Sequence, residues 1–218
     1  MKVRIAALFA LVVALAGCAV PGAPRYSDVP DGQFRAGGVT SGVTLKHNQT
    51  VGVIFTENTV ANLAYMERYN ATAQGGLTAR LTDSRITQAY VDSSDPELAI
   101  NWFAQSLEKQ FATVDFYEDL DSVLAARPDV IVLLDTRSKL ITERSSDVQA
   151  SIVAEFFDAD FKFIGKAEGS DAKSMSPIWA HTKRAPEIAA QINQQRDVQI
   201  NALHKFDVSL ASLIKAQS

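Results

Sequence analysis

The chain has 218 residues, of which 47% are hydrophobic, 8% aromatic and 21% charged, with a net charge of −4 at neutral pH. That length and balance suit one globular domain with a sizeable core, and the lack of any basic run argues against nucleic acid as a partner. The sole cysteine, Cys18, rules out an internal disulfide, so stability has to come from the core.

The chain opens with Lys2 and Arg4, then an apolar run over residues 5–17. Thirteen residues are too few to cross a hydrocarbon layer that needs about 20. A charged start, a short apolar core and small residues at the end describe a cleaved signal peptide, residues 1–17. Leu15-Ala16-Gly17-Cys18 resembles a bacterial lipobox. The resemblance implies cleavage between Gly17 and Cys18 and acylation of the Cys18 thiol. It implies a membrane anchor through the N-terminal lipid, and Ala19, in place of an aspartate, implies the outer membrane, on its periplasmic face. Without Lys2 and Arg4 the mature chain carries 19 basic residues against 25 acidic ones.

Residues 18–46 read as a lipidated cysteine and a flexible tether, punctuated by Pro21, Gly22, Pro24, Pro30, Gly32, Gly37, Gly38 and Gly42,. An ordered segment wrapping the domain, with residues 39–45 as an edge strand, is the competing reading. Residues 47–218 form a single α/β domain. Its first strand is the β-branched run 51–55. Residues 59–69 suit a helix, Gly75-Gly76 breaks it, and the loose alternation over 78–91 suggests an extended excursion. Ser94 and Glu97 have capping-box spacing with Pro96 between them, ahead of a helical stripe of Ile100, Phe103, Leu107 and Phe111. A short strand over 114–117, a helix over 120–126 and the apolar strand 130–134 follow. Val148, Ala150, Ile152, Ala154 and Phe156 alternate as in a half-buried strand. Asp158-Ala159-Asp160 turns the chain into an antiparallel return over 161–167, and 170–184 reads as irregular. Residues 186–215 read as one long helix or two broken ones: they keep three- and four-residue apolar steps, with Gln195 and Gln199 interrupting the stripe, either beyond the end of the sheet or where a partner helix packs. The order implies an α/β (α+β) fold: a mixed sheet with an antiparallel hairpin, helices mostly on one face and a long C-terminal helix.

Phe111-Ala112-Thr113-Val114, Asp129-Val130-Ile131-Val132, Asp158-Ala159-Asp160 and the stretch Ala202-Leu203-His204-Lys205-Phe206-Asp207-Val208-Ser209-Leu210 resemble small bacterial envelope lipoproteins. Those domains are similar to the N-terminal domain of TolB and to PelC. The resemblance covers roughly 48–213 and implies an accessory or assembly role in an envelope complex, or membership of a group with no known role. An envelope protein partner is expected, with a homo-oligomer as a further option. No matched position is catalytic.

Chemistry in the residues is sparse. His47, His181 and His204 have no metal-ligand spacing, so no metal and no cofactor is expected. Asp158 and Asp160 read as turn residues, and Asp119 and Asp121 as a helix start. No Gly-x-Ser-x-Gly turn or phosphate loop occurs, and the chain is read as no enzyme. Pro177, Ile178, Trp179 and His181 make a candidate recognition loop. The expectation is a non-enzymatic lipoprotein that works by protein contact; the alternative is a periplasmic glycan- or lipid-binding module that uses that loop.

Overall fold

The structure, a computed structural model, describes residues 21–27, 40–75, 82–142, 144–176 and 183–217. In chain order the elements are β1 (Thr50–Phe55), α1 (Glu57–Gln74), α2 (Ser84–Asp92), α3 (Leu98–Glu108), β2 (Thr113–Tyr117), α4 (Leu120–Ala126), β3 (Val130–Lys139), β4 (Asp147–Asp158), β5 (Phe163–Ser174) and α5 (Ala185–Gln217). One sheet takes the order β2-β1-β3-β4-β5. β1 is parallel to β2 and to β3, whereas β3–β4–β5 is an antiparallel meander. This is the mixed α/β fold expected, with the long C-terminal helix.

Helices α3 and α5 cover one face. Phe103, Leu107, Leu203, Phe206 and Leu210 pack on Val53, Val132, Leu134, Ile152 and Phe156. Among the described residues, the short α4 is the helix on the other face, where Val123 meets Ile54, Ile131 and Leu133. Two glycines let helices approach the sheet. A Cβ on Gly52 would lie 2.9 Å from Pro128 Cγ and closer still to Val123. One on Gly169 would lie 3.0 Å from Phe206 Cα and would run into the α5 backbone.

Several local expectations are corrected. Residues 84–92 are helical and not an extended excursion. Asp83 caps this helix by accepting from Arg85 N at 3.0 Å, and Ile86 and Ala89, three residues apart, both turn to the start of α5. The proposed capping box is not made. Ser94 donates backward to Tyr90 O at 2.7 Å, Glu97 N takes Asp95 Oδ1 at 2.9 Å, and α3 begins at Leu98 without a side-chain cap. β5 continues to Ser174 through residues read as irregular, because Ala167, Gly169 and Asp171 stay in register with Ala154, Ile152 and Ala150. Gln195 and Gln199 face the end of α2: their amides donate to Ser93 Oγ and Ser93 O at 3.0 and 2.8 Å. Of the two places considered for them, the structure has the packed helix.

Candidate functional site

β1 ends at Phe55, opposite Leu134, but β3 runs on to Lys139. The outer half of β3 therefore has no strand on that side. A buried edge with unpaired backbone groups costs roughly 1–3 kcal/mol per group, and a row of side chains takes the place of the absent strand. Thr59 Oγ1 donates to Leu134 O at 2.6 Å and accepts from Thr136 N at 2.8 Å. The Tyr26 hydroxyl lies 2.8 Å from Ser138 O and accepts from Ser138 N at 3.0 Å. Tyr65 accepts from Leu140 N at 3.1 Å. Tyr69 donates to Ile141 O at 2.7 Å, and Gln195 Oε1 accepts from Ile141 N at 2.6 Å. Helix α1 places Thr59, Tyr65 and Tyr69 along that edge. It is capped by Thr56, which accepts from Thr59 N at 3.3 Å.

Tyr26 comes from far away in the chain. It belongs to residues 21–27, inside the stretch read as tether, and this part rests on the domain. Ser27 and Asn58 pair twice, Ser27 N to Asn58 Oδ1 at 2.8 Å and Asn58 Nδ2 to Ser27 O at 2.9 Å. Arg137 donates to Ser27 O at 2.9 Å and to Asp135 Oδ1 at 2.7 Å, with its guanidinium carbon 5.9 Å from the centre of the Tyr26 ring. Ala23 packs on the cluster of Tyr65, Met66, Tyr69 and Leu140. Residues 40–46 are also held: Ser41 N donates to Phe163 O at 2.8 Å and Leu45 is buried. Thr40 forms an isolated parallel bridge with Phe163, where an edge strand had been considered.

A cleft of about 320 Å³ opens beside this clasp, lined by Ala23, Pro24, Tyr26, Arg137, Lys139 and Gln149 among others. Burial pushes the Tyr26 hydroxyl up to about 12, against the opposing pull of its Ser138 bond and of Arg137. Burial does the same to Tyr65, again to about 12, and carries Tyr69 well above the ordinary tyrosine value. At neutral pH all three keep their protons, which Tyr26 and Tyr69 donate to Ser138 O and Ile141 O. They fasten backbone and are poorly suited to act as bases.

The residues singled out in the sequence fall elsewhere. Gly17, Cys18, Pro177, Ile178, Trp179 and His181 lie outside the described residues. His47 is exposed, with Nδ1 3.0 Å from Gln110 O. His204 is exposed and its ring lies edge-on to Trp102, centroids 4.9 Å apart. Trp102 Nε1 in turn donates to Asp207 at 3.0 Å, which ties α3 to α5. Asp119 caps α4 by accepting from Ser122 N at 2.8 Å. Asp158 accepts from Asp160 N and Lys162 N, both at 2.9 Å, and from the Ser41 hydroxyl. Burial would raise its carboxyl, but these donors outweigh it and hold it below the usual range. Both Asp158 and Asp119 do the structural work expected of them. Among the described residues no group of three or more His, Cys, Asp or Glu is placed to hold a metal, and no helix is long and apolar enough to cross a membrane. Sequence reasoning missed Tyr26, Ser27 and Asn58; the one available signal was an aromatic residue inside a Pro- and Gly-rich stretch.

No family model matches the chain, and no curated protein matches it. Among solved structures, a leucine-to-methionine variant of the PelC dodecamer from Paraburkholderia phytofirmans aligns with a TM-score of 0.30. It is 13% identical, over 73% of this chain and 96% of that one. The PelC dodecamer from the same organism, in another crystal form, aligns at 0.28 with 11% identity, over 73% and 94%. The structural similarity to PelC is weak, and at this level it carries no argument about function.

Proposed function

We propose that this chain is a lipid-anchored, non-enzymatic accessory subunit of a cell-envelope assembly, tethered through Cys18 to the outer membrane on its periplasmic face and acting by protein contact. The observation that carries this reading is the clasp on residues 21–27. The backbone only a few residues past the lipobox-like Leu15-Ala16-Gly17-Cys18 is bonded to the domain through Tyr26 and Ser27. A subunit that must present one surface to neighbours gains from an anchor joined to its fold, because a fixed attitude removes rotational freedom that binding would otherwise cost. The polar clusters around Asp158, Asp207 and Gln195 are each spent on holding backbone or joining helices, and Asp135 orients the Asn58 and Arg137 side chains of the clasp, which also fits a role in contact.

Two measurements test it. Mass spectrometry of the native protein is expected to show a chain beginning at Cys18 with an acylated thiol, and Cys18→Ser is expected to move it from the membrane to the soluble fraction. Cross-linking in intact cells followed by purification is expected to capture a defined envelope partner or a ring of identical copies. A bare thiol, or a monomer with no cross-linked neighbour, would defeat the reading.

A further inference from the structure

We propose that the end of the domain where residues 21–27 dock is the face that lies against the bilayer, so that the anchor holds the fold close to the headgroups in one orientation. This rests on acylation of Cys18 as proposed above, and it adds which surface meets the membrane and why.

The first argument is the length of chain available. Ala23 is packed on Tyr65, Met66, Tyr69 and Leu140. Cys18 is five residues earlier, so its thiol lies within ~18 Å of that contact even if the chain between is fully extended. A domain held only from Thr40 onward would have 22 residues of freedom and a reach of about 70–80 Å. The Tyr26 and Ser27 bonds therefore remove most of the slack a tether of residues 18–46 would allow. They also choose the end of the molecule that is held, because Ala23 and Tyr26 sit where β3 finishes and β4 begins.

The second argument is charge. Among the described residues, the strand ends and connections at that end carry Lys139, Arg144, Lys173, Lys183 and Arg184 against Asp147 and Glu187. This surplus of cations stands in a mature chain whose acidic residues outnumber its basic ones, and Arg25 adds another cation on the docked segment itself. Anionic headgroups attract such a cluster at short range. Lys139 and Arg184 keep partners of their own, Asp147 at 3.6 Å and Glu187 at 3.2 Å. The attraction is therefore supplementary, and the covalent anchor supplies the affinity.

The test uses the full acylated protein, reconstituted into vesicles of phosphatidylethanolamine and phosphatidylglycerol. Cys18 is consumed by its lipid, so a single added thiol can carry a fluorophore. Ala172→Cys places it near the anchor end of β5, and Ala159→Cys places it in the β4–β5 turn; both positions are exposed. The two lie on the order of 30 Å apart along the strand. Energy transfer to a headgroup-linked acceptor is expected to be several-fold stronger from position 172. Releasing the clasp with Tyr26→Ala and Asn58→Ala is expected to bring the two signals together. Replacing phosphatidylglycerol with phosphatidylcholine is expected to narrow the difference. Equal transfer from both positions, stronger transfer from 159, or a difference that survives loss of the clasp would overturn the proposal. Failure of the protein to float with the vesicles at all would instead sink the acylation itself.

Discussion

Gln195→Leu examines whether side chains really stand in for the strand missing beside β3. The Gln195 side chain is 0% exposed. Its carbonyl oxygen takes the Ile141 amide at 2.6 Å and its amide reaches Ser93 Oγ at 3.0 Å. Leucine fills similar space but can do neither. The Ile141 N–H would then be stranded in the core, costing about 1–3 kcal/mol, and the lost bond to Ser93 adds about 0.5–1.5 kcal/mol. Ser93 retains Tyr90 O at 3.3 Å as an acceptor, so its hydroxyl is not orphaned. Burying leucine in place of an amide returns roughly 1 kcal/mol. The net expected loss is about 2 kcal/mol, which for a domain of this size lowers the melting temperature by about 4–8 °C. Thermal and urea unfolding of the Cys18→Ser chain, followed by circular dichroism, measures it. Native-state hydrogen exchange adds a local readout, since the Ile141 amide should lose protection more than the amides of β4. A Gln195→Leu protein as stable as its parent, with Ile141 still protected, would refute the idea that these side chains close the edge.

Gly169→Ala is expected to destabilise by about 3 kcal/mol or more, because the new methyl would meet backbone of α5 and not a movable side chain,; the urea midpoint should fall and an unchanged midpoint would contradict that approach. Arg127 ends α4 with a φ of 53°, a conformation that costs a non-glycine residue about 1 kcal/mol. Arg127→Gly is therefore expected to raise the melting temperature by a few degrees. With its hydroxyl raised to about 12 in the fold and near 10 in the unfolded chain, Tyr26 contributes stability that is complete below pH 10 and is lost as pH climbs through 12. Limited proteolysis after alkaline incubation should show residues 21–27 becoming cleavable over that window in the parent chain. Tyr26→Phe, which lacks the hydroxyl, should be cleavable already at neutral pH, and equal resistance in both chains would show that Tyr26 does not hold the segment.

Much of the domain could be read from periodicity, because burial on one face imposes a repeat along the chain. The β-branched runs of β1 and β3, the alternation from Val148 to Phe156 and the three- and four-residue steps of α5 each carry their own period, and each became the element it implied. Asp119 and Asp158 were legible for a related reason: a carboxylate that satisfies amides two to four residues away is a local device. Helix α2 escaped because Ile86 and Ala89 fit two periods equally over so short a span, and only contact with α5 selects the helix. The closure of β3 had no sequence signature at all. Ser138 is 112 residues from Tyr26, and Leu140 is 75 from Tyr65. A hydroxyl that meets a distant amide imposes no repeat and needs no particular neighbours. Where such bonds form was decided by β1 stopping at Phe55 while β3 ran on, since only then did the backbone of Thr136 to Ile141 need partners from outside the sheet.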